Sequence, residues 1–355
     1  MSPKRITSHD VAKRAGVSRT TVSFVLNDVQ GVQISQATRQ RVLQAASELG
    51  YVPDAAAKAL ASRRAQIIGL ILTRSPHHIA SDAYITQMLD ELIEVVHRHG
   101  MRMMIEIVEP QHQKKAYLNL VRAKSIDGIL LSGPRMDDEA LKALEENGFP
   151  TVLMGQLPGT NFCWVDIDNQ KAAKAAVNHL IKLGHQHIAC ITNAQPSYTA
   201  AADRFTGYRQ ALEEAGIPFA PDLVRYGDFD MDSGYRQMHK LLESGASFSA
   251  AFIASDTVAL GAKAAIREHG LTIPHDIALI GFDDLPFAQY TDPPLTTVHL
   301  PVQDLARESG EMLIRILNEK QPGCERVTLD TRIIVRQSCG ARLNASNLSQ
   351  TNAEL

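Results

Sequence analysis

Residues 18–27, SRTTVSFVLN, carry side chains suited to reading base edges. On a helix turning about 100° per residue, Thr20, Phe24 and Asn27 share one face. Arg19, Thr21 and Ser23 flank that face, and Ser18 stands at its head. A guanidinium suits guanine, hydroxyls suit several edges, and an aromatic ring can meet a thymine methyl. The implied partner is the major groove of double-stranded DNA. An ordinary surface hairpin of two helices, with Phe24 tucked under a later element, would carry the same pattern. A second set of chemical groups follows the apolar runs further along: Ser132, Thr192-Asn193, Ser255-Asp256 and Asp283-Asp284. In open α/β sheets such strand-end positions converge on ligand clefts. For Asp256 and Asp284 the simpler expectation is a helix N-cap.

The first set needs a helix-turn-helix to position it. Thr7 and Asp10 approximate a capping box, and Val11, Ala12 and Ala15 fall on one apolar face. Gly16 suits a left-handed turn, Val17 plugs the corner, and Ser18 caps the second helix, which turns Val22, Val25 and Leu26 inward. Ser35 opens a third helix, with Val42, Leu43, Ala46 and Leu49 at helical spacing and Gly50 as its stop. After Pro53, the stretch from Asp54 to Arg64 is rich in helix formers but too short to hold a helix alone. It is either a linker or a helix that orders when something holds it.

The second set needs an α/β core. From Ile67 short apolar runs (67–72, 103–108, 128–131, 151–154, 187–191, 250–253 and 277–281) alternate with amphipathic stretches. This predicts helices near Thr86–His99, Glu139–Glu146, Asn169–Leu183, Phe205–Ala215, Ser233–Glu243 and Val258–Glu268, covering mostly parallel strands. Eight to ten strands divide more easily into two sheets than one, with a junction near VDIDN (165–169). The strand TTVHL and the helix after it are expected to return to the first lobe. The last 15 residues are polar and lack a heptad pattern.

Charge separates the two parts. Residues 1–66 hold ten Lys/Arg and four acids, +6, leaving 26 basic and 35 acidic residues, −9, for the rest. A basic head on an acidic body suits a DNA-binding module joined to something that should not stick to DNA. The four cysteines show no CxxC spacing and the 13 histidines no metal-site spacing. With no phosphate loop, nucleophile elbow or HExxH either, no catalytic residue, metal or cofactor is expected. No apolar run approaches a membrane span and no signal peptide opens the chain, so a cytoplasmic, nucleoid-associated protein is expected.

The motifs DVAKRAGVSRTTVSFVLN, LGYVPDAAAKALA, HLIKLGHQHIACI, DRFTGYRQAL, YGDFDMDSGY, SDTVALGA and IALIGFDDLPFAQYTDPPLTTV together resemble the LacI/GalR family of bacterial transcription regulators. The resemblance runs over nearly the whole chain. It implies an α/β protein with an N-terminal all-α helix-turn-helix headpiece (1–53) and a hinge helix (54–66). The core (67–340) would be two-lobed and periplasmic-binding-protein-like, with a tail at 341–355. Lobe 1 would span about 67–165 and 297–325, and lobe 2 about 166–296 and 326–340. It further implies base reading by Arg19, Thr20 and Phe24, and a minor-groove wedge at Leu60 with Lys58 near the groove or a phosphate. Homodimers on a pseudopalindromic operator would follow. A small effector, by family habit a sugar, would bind at Tyr84, Tyr198, Arg204, Phe229, Ser255 and Asp283. A purine or nucleoside would satisfy the same groups.

Three departures from the family pattern stand out. Phe24 occupies a position where Arg is frequent, and Ser255 one where Asn is frequent in sugar-binding members. The segment TRSPHHIASDAYIT is several residues longer than usual. Two other function classes compete: a solute sensor acting through a protein partner, and an enzyme on a two-lobed scaffold, which the missing catalytic constellation disfavours.

Overall fold

The computed structural model describes residues 6–27, 31–52, 64–108, 113–319 and 323–341. The chain forms two units, Met1–Gln66 and Ile67–Leu355.

In the first unit, α1 (Ser8–Ala15), α2 (Arg19–Leu26) and α3 (Gln36–Leu49) pack around Val11, Val22, Val25, Val42 and Ala45. Local chemistry fixes each helix end. The Asp10 carboxylate accepts from the Thr7 backbone N–H at 2.8 Å, while Ser18 and Ser35 accept from the backbone N–H three residues on. Gly16 takes φ 65°, which lets the chain turn out of α1 into the corner where Val17 packs. Arg14 on α1 grips the Glu48 carboxylate on α3 at 2.7 Å.

The second unit contains two six-stranded sheets. The first lobe's sheet comprises β1 (Ile67–Leu72), β2 (Arg102–Ile107), β3 (Gly128–Ser132), β4 (Thr151–Met154), β5 (Cys163–Ile167) and β11 (Arg326–Leu329), in the order β11-β5-β4-β3-β1-β2. The second holds β6 (Ile188–Thr192), β7 (Val224–Tyr226), β8 (Ala250–Ile253), β9 (Ala278–Asp283), β10 (Thr297–His299) and β12 (Arg332–Ile334), in the order β12-β10-β9-β8-β6-β7. Every pair is parallel except β10–β12. The central strands are apolar throughout because helices cover both faces. In the first lobe, α5 (Ala83–Arg98) packs beside α12 (Val302–Asn318). In the second, α8 (Asn169–Lys182) packs beside α9 (Thr199–Glu214), and α10 (Met231–Glu243) beside α11 (Asp256–Glu268).

The chain crosses between lobes three times: from β5 into α8, from β10 into α12, and from β11 into β12. Two short strands therefore lie opposite to expectation. TTVHL stays in the second lobe, where β10 pairs with β9, and only the helix after it returns to the first lobe. Residues 326–329 pair with β5 in the first lobe. Strands this short carry no periodicity of their own, so only the partner's open edge decides which sheet they join. Neither Asp256 nor Asp284 caps a helix. Asp256 is fully buried and accepts from Thr297 Oγ1 at 2.7 Å and the Leu285 N–H at 2.9 Å. Asp284 pairs with Arg336 at 2.6 Å and His299 at 2.9 Å.

Candidate functional site

On α2, Ser18, Arg19 and Thr20 are exposed, and Thr21, Ser23, Phe24 and Asn27 are half-buried. Val22 and Val25 turn the other way, into the three-helix core. The face is thus rigidly backed, with its N-terminal residues outermost, as a helix entering a groove requires. The Asn27 amide donates to Ser23 Oγ at 3.2 Å, which settles the last turn. Lys58 and Leu60 lie outside the described residues.

In the core, a cleft between the lobes is lined by all six residues expected to meet an effector: Tyr84, Tyr198, Arg204, Phe229, Ser255 and Asp283. They come from both lobes and mostly from strand ends or helix starts. Arg204 is buried on α9, where its Nε donates to Asn169 Oδ1 at 2.9 Å and its Nη1 to the Ala254 carbonyl at 2.7 Å. The same Nη1 stands 3.4 Å from Asp283 Oδ1, and the guanidinium lies 3.8 Å from the Phe282 ring centroid. A guanidinium held on so many sides is a preorganised fork. Tyr198 and Phe229 meet edge to face, with centroids 4.9 Å apart. Phe229 (φ 61°) and Asp283 (φ 111°) hold a left-handed backbone that neither residue type favours. Strain of this kind collects where a side chain must be aimed.

Burial sets the protonation behaviour. It pushes Asp283 up to about 6, with Arg204 opposing, and Asp166 up to about 7. Tyr84 is half-buried, and burial pushes its hydroxyl up to about 12.

Several cleft residues escaped the sequence reading. Asp166 and Asn169 lie in the VDIDN junction, where they were visible only as a boundary; Asn169 bridges Asp166 to Arg204. Asn193, by contrast, was among the strand-end residues the sequence pointed to; its Oδ1 is buried without a hydrogen-bond partner among the described residues, an acceptor suited to a ligand donor. Arg74 and Asp82 form a buried ion pair inside the cleft, and Asp82 also caps α5 through the Tyr84 N–H at 3.0 Å. The longer segment after β1 folds as α4 (Pro76–Ser81), which brings His78 within 3.5 Å of Asp228 and 3.6 Å of Asp230 in the other lobe. The cleft is closed, at about 70 Å³. A typical small-molecule site offers roughly 300–1,000 Å³. Among the described residues no cluster of His, Cys, Asp and Glu is placed to hold a metal, and no helix is long and apolar enough to cross a membrane.

Residues 7–54 match the model of bacterial regulatory proteins of the lacI family, and residues 177–339 that of the periplasmic binding protein-like domain. The chain is 33% identical over 338 residues to the HTH-type transcriptional regulator CelR of Thermobifida fusca, covering 94% of this chain and 98% of that protein. The chain belongs to the LacI family. This regulator is also 33% identical to the HTH-type transcriptional repressor CytR of Escherichia coli K12, over 94% of its own length and 96% of CytR. Among solved structures, it is similar to the CelR–cellobiose complex (32% identity, TM-score 0.72, covering 94% of this chain and 100% of the other). It is likewise similar to the Lac repressor dimer bound to operator and the anti-inducer ONPF (29% identity, TM-score 0.83, 95% and 99%). It is a DNA-binding transcriptional regulator with an effector-binding core.

Proposed function

We propose that this regulator is a homodimeric, cytoplasmic repressor that binds a pseudopalindromic operator through α2 and takes a sugar or sugar derivative in its inter-lobe cleft. The observation that carries the effector reading is the convergence of Arg204, Asp283, Asn193, Tyr198 and Phe229 on one enclosed space. Flat apolar faces suit the C–H faces of a sugar ring, while the guanidinium and carboxylate supply forked donors and acceptors for its hydroxyls. Similarity to the cellobiose complex of CelR supports the same class. Arg19, Thr20 and Phe24 would read bases, with Ser18, Thr21, Ser23 and Asn27 positioning the helix on the backbone. Leu60 would wedge into the minor groove from a hinge at 54–66, with Lys58 beside it. Effector binding would shift operator affinity by a coupling of ~1–3 kcal/mol.

A thermal-shift screen against sugars, sugar phosphates, purines and nucleosides tests the effector class. A ligand at 100 times its Kd adds about 2.7 kcal/mol to the native state. A sugar shift that disappears in Asp283→Ala supports the assignment; a shift with nucleosides alone replaces it.

A further inference from the structure

We propose that residues 133–137 of the first lobe are a strap that holds the cleft shut before any effector arrives, by capping α9 of the second lobe. The helix needs such a cap. Its first N–H groups have no partner within the helix, and the preceding residue, Tyr198, makes no side-chain cap bond. The missing acceptor comes from the other lobe. The Thr199 N–H donates to the Pro134 carbonyl at 3.2 Å, and Thr199 Oγ1 donates to the same oxygen at 3.3 Å. The Met136 N–H donates in return to the Ser197 carbonyl at 2.8 Å, so Arg135 and Tyr198 face each other as an antiparallel bridge between the lobes. Tyr198 reinforces it: its hydroxyl donates to the Thr73 carbonyl in the first lobe, and the Arg135 guanidinium lies 4.8 Å from its ring centroid.

The strap is fixed at both ends. Gly133 (φ 75°) turns the chain off the end of β3, and its carbonyl accepts from Thr73 Oγ1. Arg135 grips the Asp137 carboxylate through Nε at 2.8 Å and Nη2 at 2.6 Å. Beyond it, buried Asp138 caps the helix Glu139–Glu146 by accepting from the Ala140 N–H at 3.0 Å. The Tyr117 hydroxyl donates to the other Asp138 oxygen, also at 3.0 Å. A segment held this way loses little further freedom when it docks, so a few hydrogen bonds suffice to keep it docked.

The three chain crossings already join the lobes, and the strap adds a tie where no chain passes. Pro134, Tyr198 and Thr199 line the cleft, so the strap forms part of its wall. Effector entry then waits on release of the strap, and apparent affinity scales with the fraction of molecules in which it is open. Release also uncaps α9, the helix that carries Arg204, and so loosens the mount of a residue that is to meet the effector. This consequence rests on the cleft being the effector's seat; the strap itself does not.

Thr199→Pro tests the strap in the full-length protein with no ligand present. Thr199 is the first residue of α9, where proline is tolerated, and Tyr198 (φ −77°, ψ 127°) already has the extended backbone that precedes proline. The substitution removes both Thr199 donors to Pro134 while suiting the helix start. The readout lies in the other lobe: hydrogen exchange of the Met136 amide, whose acceptor is the Ser197 carbonyl and whose side chain is exposed. In the unliganded wild type this amide should exchange at least about tenfold more slowly than in a free peptide. In Thr199→Pro it should approach the free rate, while amides in the body of α9 stay protected. Thr199→Val keeps the N–H and should leave Met136 protected. Tyr198→Phe, losing one hydrogen bond, should speed Met136 exchange about 2–10-fold. Met136 exchanging freely in the wild type, or as slowly in Thr199→Pro as in the wild type, would overturn the proposal. Should Thr199→Pro unfold α9, Tyr198→Phe decides, and a wild-type exchange rate there overturns it. No sugar enters the experiment, so a failed effector assignment leaves the strap standing, and a failed strap leaves the effector residues to be tested by ligand.

Discussion

The guanidinium of Arg74, just past the end of β1 in the first lobe, lies 4.0 Å from the ring centroid of Phe229 in the second lobe. That contact crosses the cleft, and the buried Arg74–Asp82 pair lines the same space. A desolvated cation–π contact is worth about 2 kcal/mol. Arg74→Ala should therefore widen the average lobe separation and speed effector association. Small-angle scattering and stopped-flow binding check this; an unchanged radius of gyration would show that Arg74 does not hold the cleft shut.

The raised carboxyls give a pH dependence with a definite sign. Asp283 at about 6 and Asp166 at about 7 bind protons in the native state at pH values where the unfolded chain has released them. Their contribution is full below about pH 4 and is lost as pH rises through 6–7, on the order of 3 kcal/mol for Asp283 alone. The unliganded core should melt lower at pH 8 than at pH 5.5, and Asp283→Asn should flatten that slope.

A hydroxyl ligand donating to Asp283 favours its charged form. Effector affinity should thus rise between pH 5 and 7.5, with proton release on binding visible by calorimetry in buffers of different ionisation heat. Asp283→Asn should bind more weakly and with little pH dependence over that window.

Arg19 stands exposed at the start of α2, whose inner face is fixed by Val22 and Val25. Arg19→Ala should cost about 1–3 kcal/mol on the cognate operator and much less on scrambled DNA. Gel-shift titrations on both sequences at two salt concentrations separate base reading from phosphate attraction.

Two glycines set how closely α10 and α11 approach. A Cβ on Gly234 would stand 1.9 Å from the Val258 carbonyl oxygen, and one on Gly261 1.8 Å from that of Met231. Backbone cannot yield as a side-chain tip does. Gly261→Ala should lower core stability by at least about 1–3 kcal/mol in urea unfolding while leaving α1–α3 folded.

What the sequence made legible was local. The caps at Thr7, Ser18 and Ser35 rest on hydrogen bonds spanning three residues, and the structure has each of them. Arg204, Phe229, Ser255 and Asp283 sit in long motifs and all four line the cleft, as do Tyr84 and Tyr198 outside those motifs. Asp256 misled because its partners, Thr297 and Leu285, lie 41 and 29 residues further along the chain rather than in its own helix. Arg74, His78 and Asp82 escaped because they flank or lie in the lengthened segment after β1, where spacing gives no register. Strands β10 and β11 were placed in each other's lobe because pairing, not pattern, selects their sheet.

The triple crossing of the chain also orders its birth. The three-helix unit is complete once residue 50 or so has emerged, long before either sheet. The first lobe's sheet must wait for residues 326–329, made after every strand of the second lobe but β12, before its β5 edge is covered. During synthesis, then, a finished DNA-reading module would hang from a core with an open strand edge, a state that invites chaperones and wrong pairings alike. Truncation just before residue 326 should for that reason damage both lobes, uncovering β5 in the first and β10 in the second.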